Sequence, residues 1–204
     1  MLGISLALCA GCLHLLNAVL GANDEARSRA KWTTVVLFAV LCGPVGTAQL
    51  PIVAYIRGIS SDLSITLVAL ACLGLRRHLL GLRAIERRER SVLFAVVAAA
   101  ALLLYPSALG WGDWDAYRLG WGAPGMLLVL LVLSLVCWLR GLRLLPMLVA
   151  AALLAWSAGL LESSNLWDYL MDPWLSMAAL VYCAKAVIVK LLKLSGWRRP
   201  AAVS

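Results

Sequence analysis

Seven apolar stretches, near residues 2–20, 33–56, 61–75, 91–109, 123–139, 145–161 and 173–191, alternate with short segments that hold nearly all of the charge. Within each stretch the apolar residues run on without the every-second-residue alternation of a half-buried strand, so the pattern predicts helices. Most approach the ~20 residues that cross a bilayer core. The third is the shortest. Only Leu63 to Leu75 is apolar before Arg76, although arginine stems can snorkel and extend a short span. The second stretch contains Gly43, Pro44, Gly46 and Pro51, with Thr47 and Gln49 among them. Proline inside a helix removes a hydrogen bond and bends the chain. A kinked helix packed through its glycines is the expectation; a broken helix lining a site, as in transporters, is the alternative. The connecting segments are too short for a soluble domain, so residues 1–204 read as one helical domain.

Composition agrees. Hydrophobic residues make up 63% of the chain and the mean hydropathy is +0.92, more apolar than a soluble domain can cover. In lipid the backbone must satisfy itself, which leaves helices or a closed barrel. The expectation is an all-α integral membrane protein, a seven-transmembrane-helix bundle.

The net charge of +8 does not point to nucleic acid, because the charges lie between apolar runs. With the segment Arg76 to Arg90 on the cytoplasmic side, alternation places fifteen basic residues of loops and tail inside. Only Arg57 and Arg118 lie outside. The positive-inside rule then puts the N-terminus outside and the C-terminus in the cytoplasm. It also implies contact with anionic lipids at the cytoplasmic face, reinforced by a basic amphipathic segment near residues 79–90. The N-terminus lacks the basic region of a signal peptide and reads as a retained helix. An excess of Arg over Lys, with abundant Leu and Ala, fits a GC-rich bacterial genome, and the expected location is the cell inner membrane. All six cysteines fall within apolar runs, so no disulfide framework is implied. Cys9 and Cys12 have a redox-like spacing, but burial in lipid disfavours the thiolate and they read as packing residues. His14 and Asn17 share a helix face and suit an interhelical hydrogen bond.

The outer loops carry the candidate chemistry. They hold Asp62, Asp113, Asp115, Glu162, Asp168 and Asp172, offset only by Arg57 and Arg118. Ser60, Ser61 and Asp62 open the third span and suit helix capping. Asp172 before Pro173 has the form of an N-cap followed by proline at the first helical position. Glu162, Asn165 and Asp168 suggest a short amphipathic helix with Asn165 and Asp168 on one face, Asp172 close by, and Trp167 pointing elsewhere. Trp111, Trp114, Trp121, Trp167 and Trp174, with Tyr55, Tyr105, Tyr117 and Tyr169, form an aromatic belt or a platform for a sugar or lipid headgroup. Crowded carboxylates beside lipid should draw Arg57 or Arg118 into an ion pair.

Arg57, Asp62, Asp113, Asp115, Arg118, Glu162, Asn165, Asp168 and Asp172 are thus the candidate outer-face binding residues. Both histidines, His14 and His78, fall on the cytoplasmic side, and no nucleophile, zinc, phosphate-loop or haem motif is present. No metal or cofactor is implied. The expectation is a non-catalytic accessory or binding partner in a cell-envelope lipid or glycan pathway, acting with membrane lipids and another membrane protein. The alternatives are a small transporter or channel with a broken second helix, and a membrane-embedded hydrolase or transferase using outer carboxylates.

Overall fold

A computed structural model describes residues 2–20, 24–46, 49–60, 62–81 and 84–194. These residues are helical apart from their loops and one two-residue bridge. The helices are α1 (Leu2–Leu20), α2 (Asp24–Cys42), α3 (Ile52–Ser60), α4 (Ile65–Leu80), α5 (Arg87–Ala108), α6 (Pro124–Leu139), α7 (Leu144–Ser157), α8 (Leu166–Leu170) and α9 (Pro173–Leu194), with a 3-10 turn at Ala116–Gly120. The all-α expectation holds. Among the described residues two helices, α5 and α9, are long and apolar enough to cross a membrane, and four shorter apolar segments lie in α1, α2, α6 and α7. The exposed surface is itself apolar. On α6, Leu128, Leu131, Val132 and Leu135 face outward, and on α9, Met177, Val181 and Ile188 do so. Water would penalise such a surface and lipid does not.

The second stretch is broken rather than kinked. Helix α2 stops at Cys42, and Gly43 donates its N–H to the Val40 carbonyl at 3.2 Å. Pro44 has no N–H with which to continue the ladder. Pro44–Val45 (β1) instead pairs antiparallel with Leu50–Pro51 (β2), and Gly46 and Gln49 take positive φ at the turn. Carbonyls of the turn itself find donors: Gln49 Nε2 reaches Gly46 O at 3.3 Å and the Tyr55 hydroxyl reaches Val45 O at 3.4 Å. The chain then re-enters helix as α3. Thr47 lies outside the described residues, as does the Asn17 side chain.

The third stretch shifts towards its C-terminal side. Helix α4 begins at Ile65 and continues through Arg76, Arg77 and His78 to a left-handed Gly81 cap. Cationic groups in a last helical turn complement the negative end of the helix dipole, so charge there does not end the helix.

Helix α1 packs on α2 and α4, while α7 touches α4, α5, α6 and α8. Cys9, Leu13, Leu41 and Leu75 fill the first junction. Leu93, Val97, Leu145, Leu148 and Leu175 fill the second. Ala101, Ala152 and Ala179 are at most 1% exposed; small residues at helix crossings let backbones approach closely. All six cysteines are free.

Candidate functional site

Two loops beside α8 are joined by a buried polar lattice. Asn165 caps α8, its Oδ1 accepting the Trp167 N–H at 3.0 Å. Its Nδ2 donates to the Tyr117 carbonyl at 2.9 Å, and the Trp167 indole donates to the Ala116 carbonyl at 3.0 Å. Asn165 is 1% exposed, so these bonds form out of solvent, where an unmade one is costly. Asp115 caps the 3-10 turn from the other side, accepting the Tyr117 N–H at 2.9 Å. The Tyr117 hydroxyl then crosses to Asp168 Oδ2 at 2.9 Å, and Ser163 Oγ donates to the same oxygen. Burial, and then the bond to Asp168, push the Tyr117 phenol up from its ordinary value, so it stays a proton donor to the carboxylate.

Asp172 ties two helix starts together. Its Oδ1 accepts the Leu175 N–H at 2.8 Å, the capping role expected ahead of Pro173. Its Oδ2 accepts both the N–H (2.9 Å) and the hydroxyl (2.7 Å) of Ser64. Ser64 in turn caps α4 by accepting from the Leu67 N–H. Two positive helix ends therefore converge on one buried carboxylate. Capping of the third span falls to Ser64, not to Asp62. Asp62 turns instead to Arg57, whose Nη2 lies 2.9 Å from it and also contacts Glu162. The pairing expected of Arg57 is present. The two carboxylates, Asp62 first, raise the guanidinium pKa.

These groups surround a cavity of about 450 Å³. Asp62, Glu162, Asp168 and Asp172 line it, with Tyr105, Tyr117 and Ser163, against an apolar wall that includes Leu104, Leu161 and Met171. Of the expected site residues, these four acids come together, and Arg57 holds two of them. Asn165 and Asp115 act from behind as loop caps. Asp113 and Arg118 are exposed and do not line the cavity, and Arg118 joins no ion pair among the described residues.

The aromatic belt divides. Trp111, Trp114, Trp121 and Trp174 are exposed, whereas Trp167 and Tyr169 are buried. The Tyr169 hydroxyl is held by the backbone of Leu161 and Ser163. Trp167, expected to point away from the acidic face, is a buried anchor whose indole N–H finds a backbone acceptor. Sequence reasoning passed over Ser64 and Ser163. Ser64 had a signal, since it immediately precedes the apolar run of α4. Ser163 had none beyond its place in a polar loop.

Among the described residues no group of three His, Cys, Asp or Glu side chains could hold a metal ion. Comparison of the chain with protein-family models, characterised proteins and solved structures gives no match.

Proposed function

We propose that the chain is a seven-span protein of a bacterial inner membrane, with its N-terminus outside and its C-terminus in the cytoplasm. On this reading it serves a cell-envelope lipid or glycan pathway by binding, as an accessory component and partner of another membrane protein. Seven apolar stretches and the fifteen-to-two distribution of basic residues support the topology. A reporter fused after residue 85 is expected to report the cytoplasm, and one after residue 115 the outside. The opposite pair of results would reverse the orientation.

The observation that carries the binding reading is the outer cavity, whose carboxylates are already engaged. Asp172 accepts three donors, Asp168 two hydroxyls, and Asp62 and Glu162 share Arg57. Carboxylates bonded in this way suit holding loops and presenting charge more than awaiting a substrate proton, and the second oxygens of Glu162 and Asp168 accept no hydrogen bond among the described residues. Ser163 is similarly placed, donating to Asp168 while accepting the Asn165 N–H at 3.0 Å. What the cavity does offer is surplus negative charge facing an apolar wall. That suits a cationic or hydroxyl-rich group with a hydrocarbon side, such as an amino headgroup or an amino sugar.

Titration calorimetry in mild detergent with phosphoethanolamine and glucosamine, beside their N-acetylated forms, tests this. The amines are expected to bind and the acetylated forms to bind far more weakly. Glu162→Gln together with Asp168→Asn is expected to weaken the amines about tenfold. Equal binding of both forms would remove the cationic-site reading, and turnover lost in the double variant would replace it with an enzyme.

The broken helix between α2 and α3 favours transport as a second reading. Against it, Pro44, Val45, Gly46, Gln49 and Leu50 are exposed and line neither the acidic cavity nor a second one of about 450 Å³.

A further inference from the structure

A second cavity of about 450 Å³ lies at the opposite ends of α4 and α5 from the acidic one. Its polar lining is entirely basic or imidazole: Arg76, Arg77 and His78 from the last turn of α4, Arg90 from the start of α5, and His14 from α1. The rest of the wall is hydrocarbon, with Leu70, Leu73, Ile85, Leu93, Phe94 and Leu144.

Among the described residues no carboxylate lines this cavity. Glu89, in the first turn of α5, is directed to the backbone N–H groups of Arg143 (2.7 Å) and Leu144 (3.1 Å). Glu86 is exposed ahead of the same helix. Among the described residues, Arg76, Arg77 and Arg90 join no ion pair. Arg90 is steered from the side, its Cζ standing 5.8 Å over the Tyr182 ring. Tyr182 is fixed by a 2.8 Å hydrogen bond with Ser91 and an edge contact with Phe94. The His14 and His78 rings meet edge to face, with centroids 6.2 Å apart.

We infer that this cavity is a binding site for a phosphate-bearing amphiphile. The phosphate sits among Arg76, Arg77 and Arg90, and the hydrocarbon lies against Leu70, Leu93 and Phe94. Three guanidiniums without a carboxylate partner repel one another, and a phosphate relieves that repulsion through paired N–H donors. The leucine and phenylalanine wall has no role for a bare inorganic anion but suits the glycerol and upper acyl region of an acidic phospholipid. Loop charge makes this the cytoplasmic side, where anionic headgroups are found. The inference draws on the membrane reading proposed above and is independent of the outer cavity.

The test uses the full chain purified in mild detergent, with native mass spectrometry reading bound dioleoylphosphatidic acid against dioleoylphosphatidylcholine. A thermal-shift titration with inorganic phosphate runs in parallel. Phosphatidic acid is expected to bind at least about tenfold more tightly than phosphatidylcholine. Arg77→Gln with Arg90→Gln is expected to remove that preference, and Arg140→Gln, exposed and outside the cavity, to leave it intact. If the glutamine pair does not fold, Arg77→Lys with Arg90→Lys is expected to reduce the preference while keeping the charge, because lysine lacks the bidentate fork. Stabilisation by inorganic phosphate that depends on Arg77 and Arg90 would equally support a phosphate site and would assign a soluble source. Two results overturn the inference. One is an equal affinity for the two lipids with no phosphate effect. The other is an Arg140→Gln loss as large as that of the cavity pair, which would mean diffuse surface charge. Neither result bears on the amine titrations, so failure here and failure of the outer-site reading are distinguishable.

Discussion

Replacing Asp172 with alanine is expected to destabilise the protein by about 2–4 kcal/mol. The side chain is the N-cap of α9 and also the acceptor for the backbone and side chain of Ser64 at the start of α4. Loss of a cap costs about 1 kcal/mol. Loss of the Ser64 contacts adds more, because Ser64 is fully buried and its N–H is left without an acceptor, at about 1–3 kcal/mol. Asparagine should be intermediate. Its single carbonyl can serve Leu175 or Ser64 but not both, and its amide then confronts a donor at the other. Thermal denaturation in mild detergent reads both variants. Ser64→Ala combined with Asp172→Ala should cost less than the sum of the two single changes, since they share bonds. An Asp172→Ala midpoint equal to that of the parent chain would show that the two helix starts are not coupled through this carboxylate.

Gly120→Ala is expected to be comparably damaging, at about 3 kcal/mol, for a steric reason. A Cβ on Gly120 would lie 1.7 Å from Asn165 Oδ1 and 2.7 Å from Trp167 Cδ1. Asn165 cannot retreat, because it is buried and bonded at once to Tyr117, Trp167 and Ser163. Displacing it breaks the α8 cap and the joint between the two loops beside α8, so the acidic cavity should open along with the loss of stability. Gly125→Ala is the control. Nothing lies within 4 Å of a Cβ there, and in the first turn of α6 the change should be neutral or stabilising by up to about 1 kcal/mol. Equal midpoints for the two variants would show that the contact between Gly120 and Asn165 is loose.

Local chemistry was legible in the sequence. The apolar runs anticipated the long helices, because helix position depends on the residues within each run. Gly43, Pro44 and Pro51 marked the interruption, because a missing N–H stops a helix wherever it lies. Asp172 followed by Pro173 marked a helix start for the same local reason. The sequence also offered only Arg57 and Arg118 as counter-charges in the acidic loops, so an ion pair there had few possible partners.

Only the tertiary structure decided which distant groups meet. Arg57 reaches Glu162 across 105 residues of chain, Asp172 reaches Ser64 across 108, and Tyr117 reaches Asp168 across 51. Sequence spacing says nothing about such pairs, because they depend on how the helices cross and on where each loop folds back. The same packing buries Trp167 and Tyr169 while leaving Trp111 and Trp174 exposed, although all four occur in aromatic-rich sequence at or between the ends of apolar runs. It also gathers Arg76, Arg77 and Arg90 around one cavity. In sequence these arginines signal only which side of the membrane a loop occupies. A concave wall behind them exists only once α4 has packed on α1 and α7, and α5 on α7.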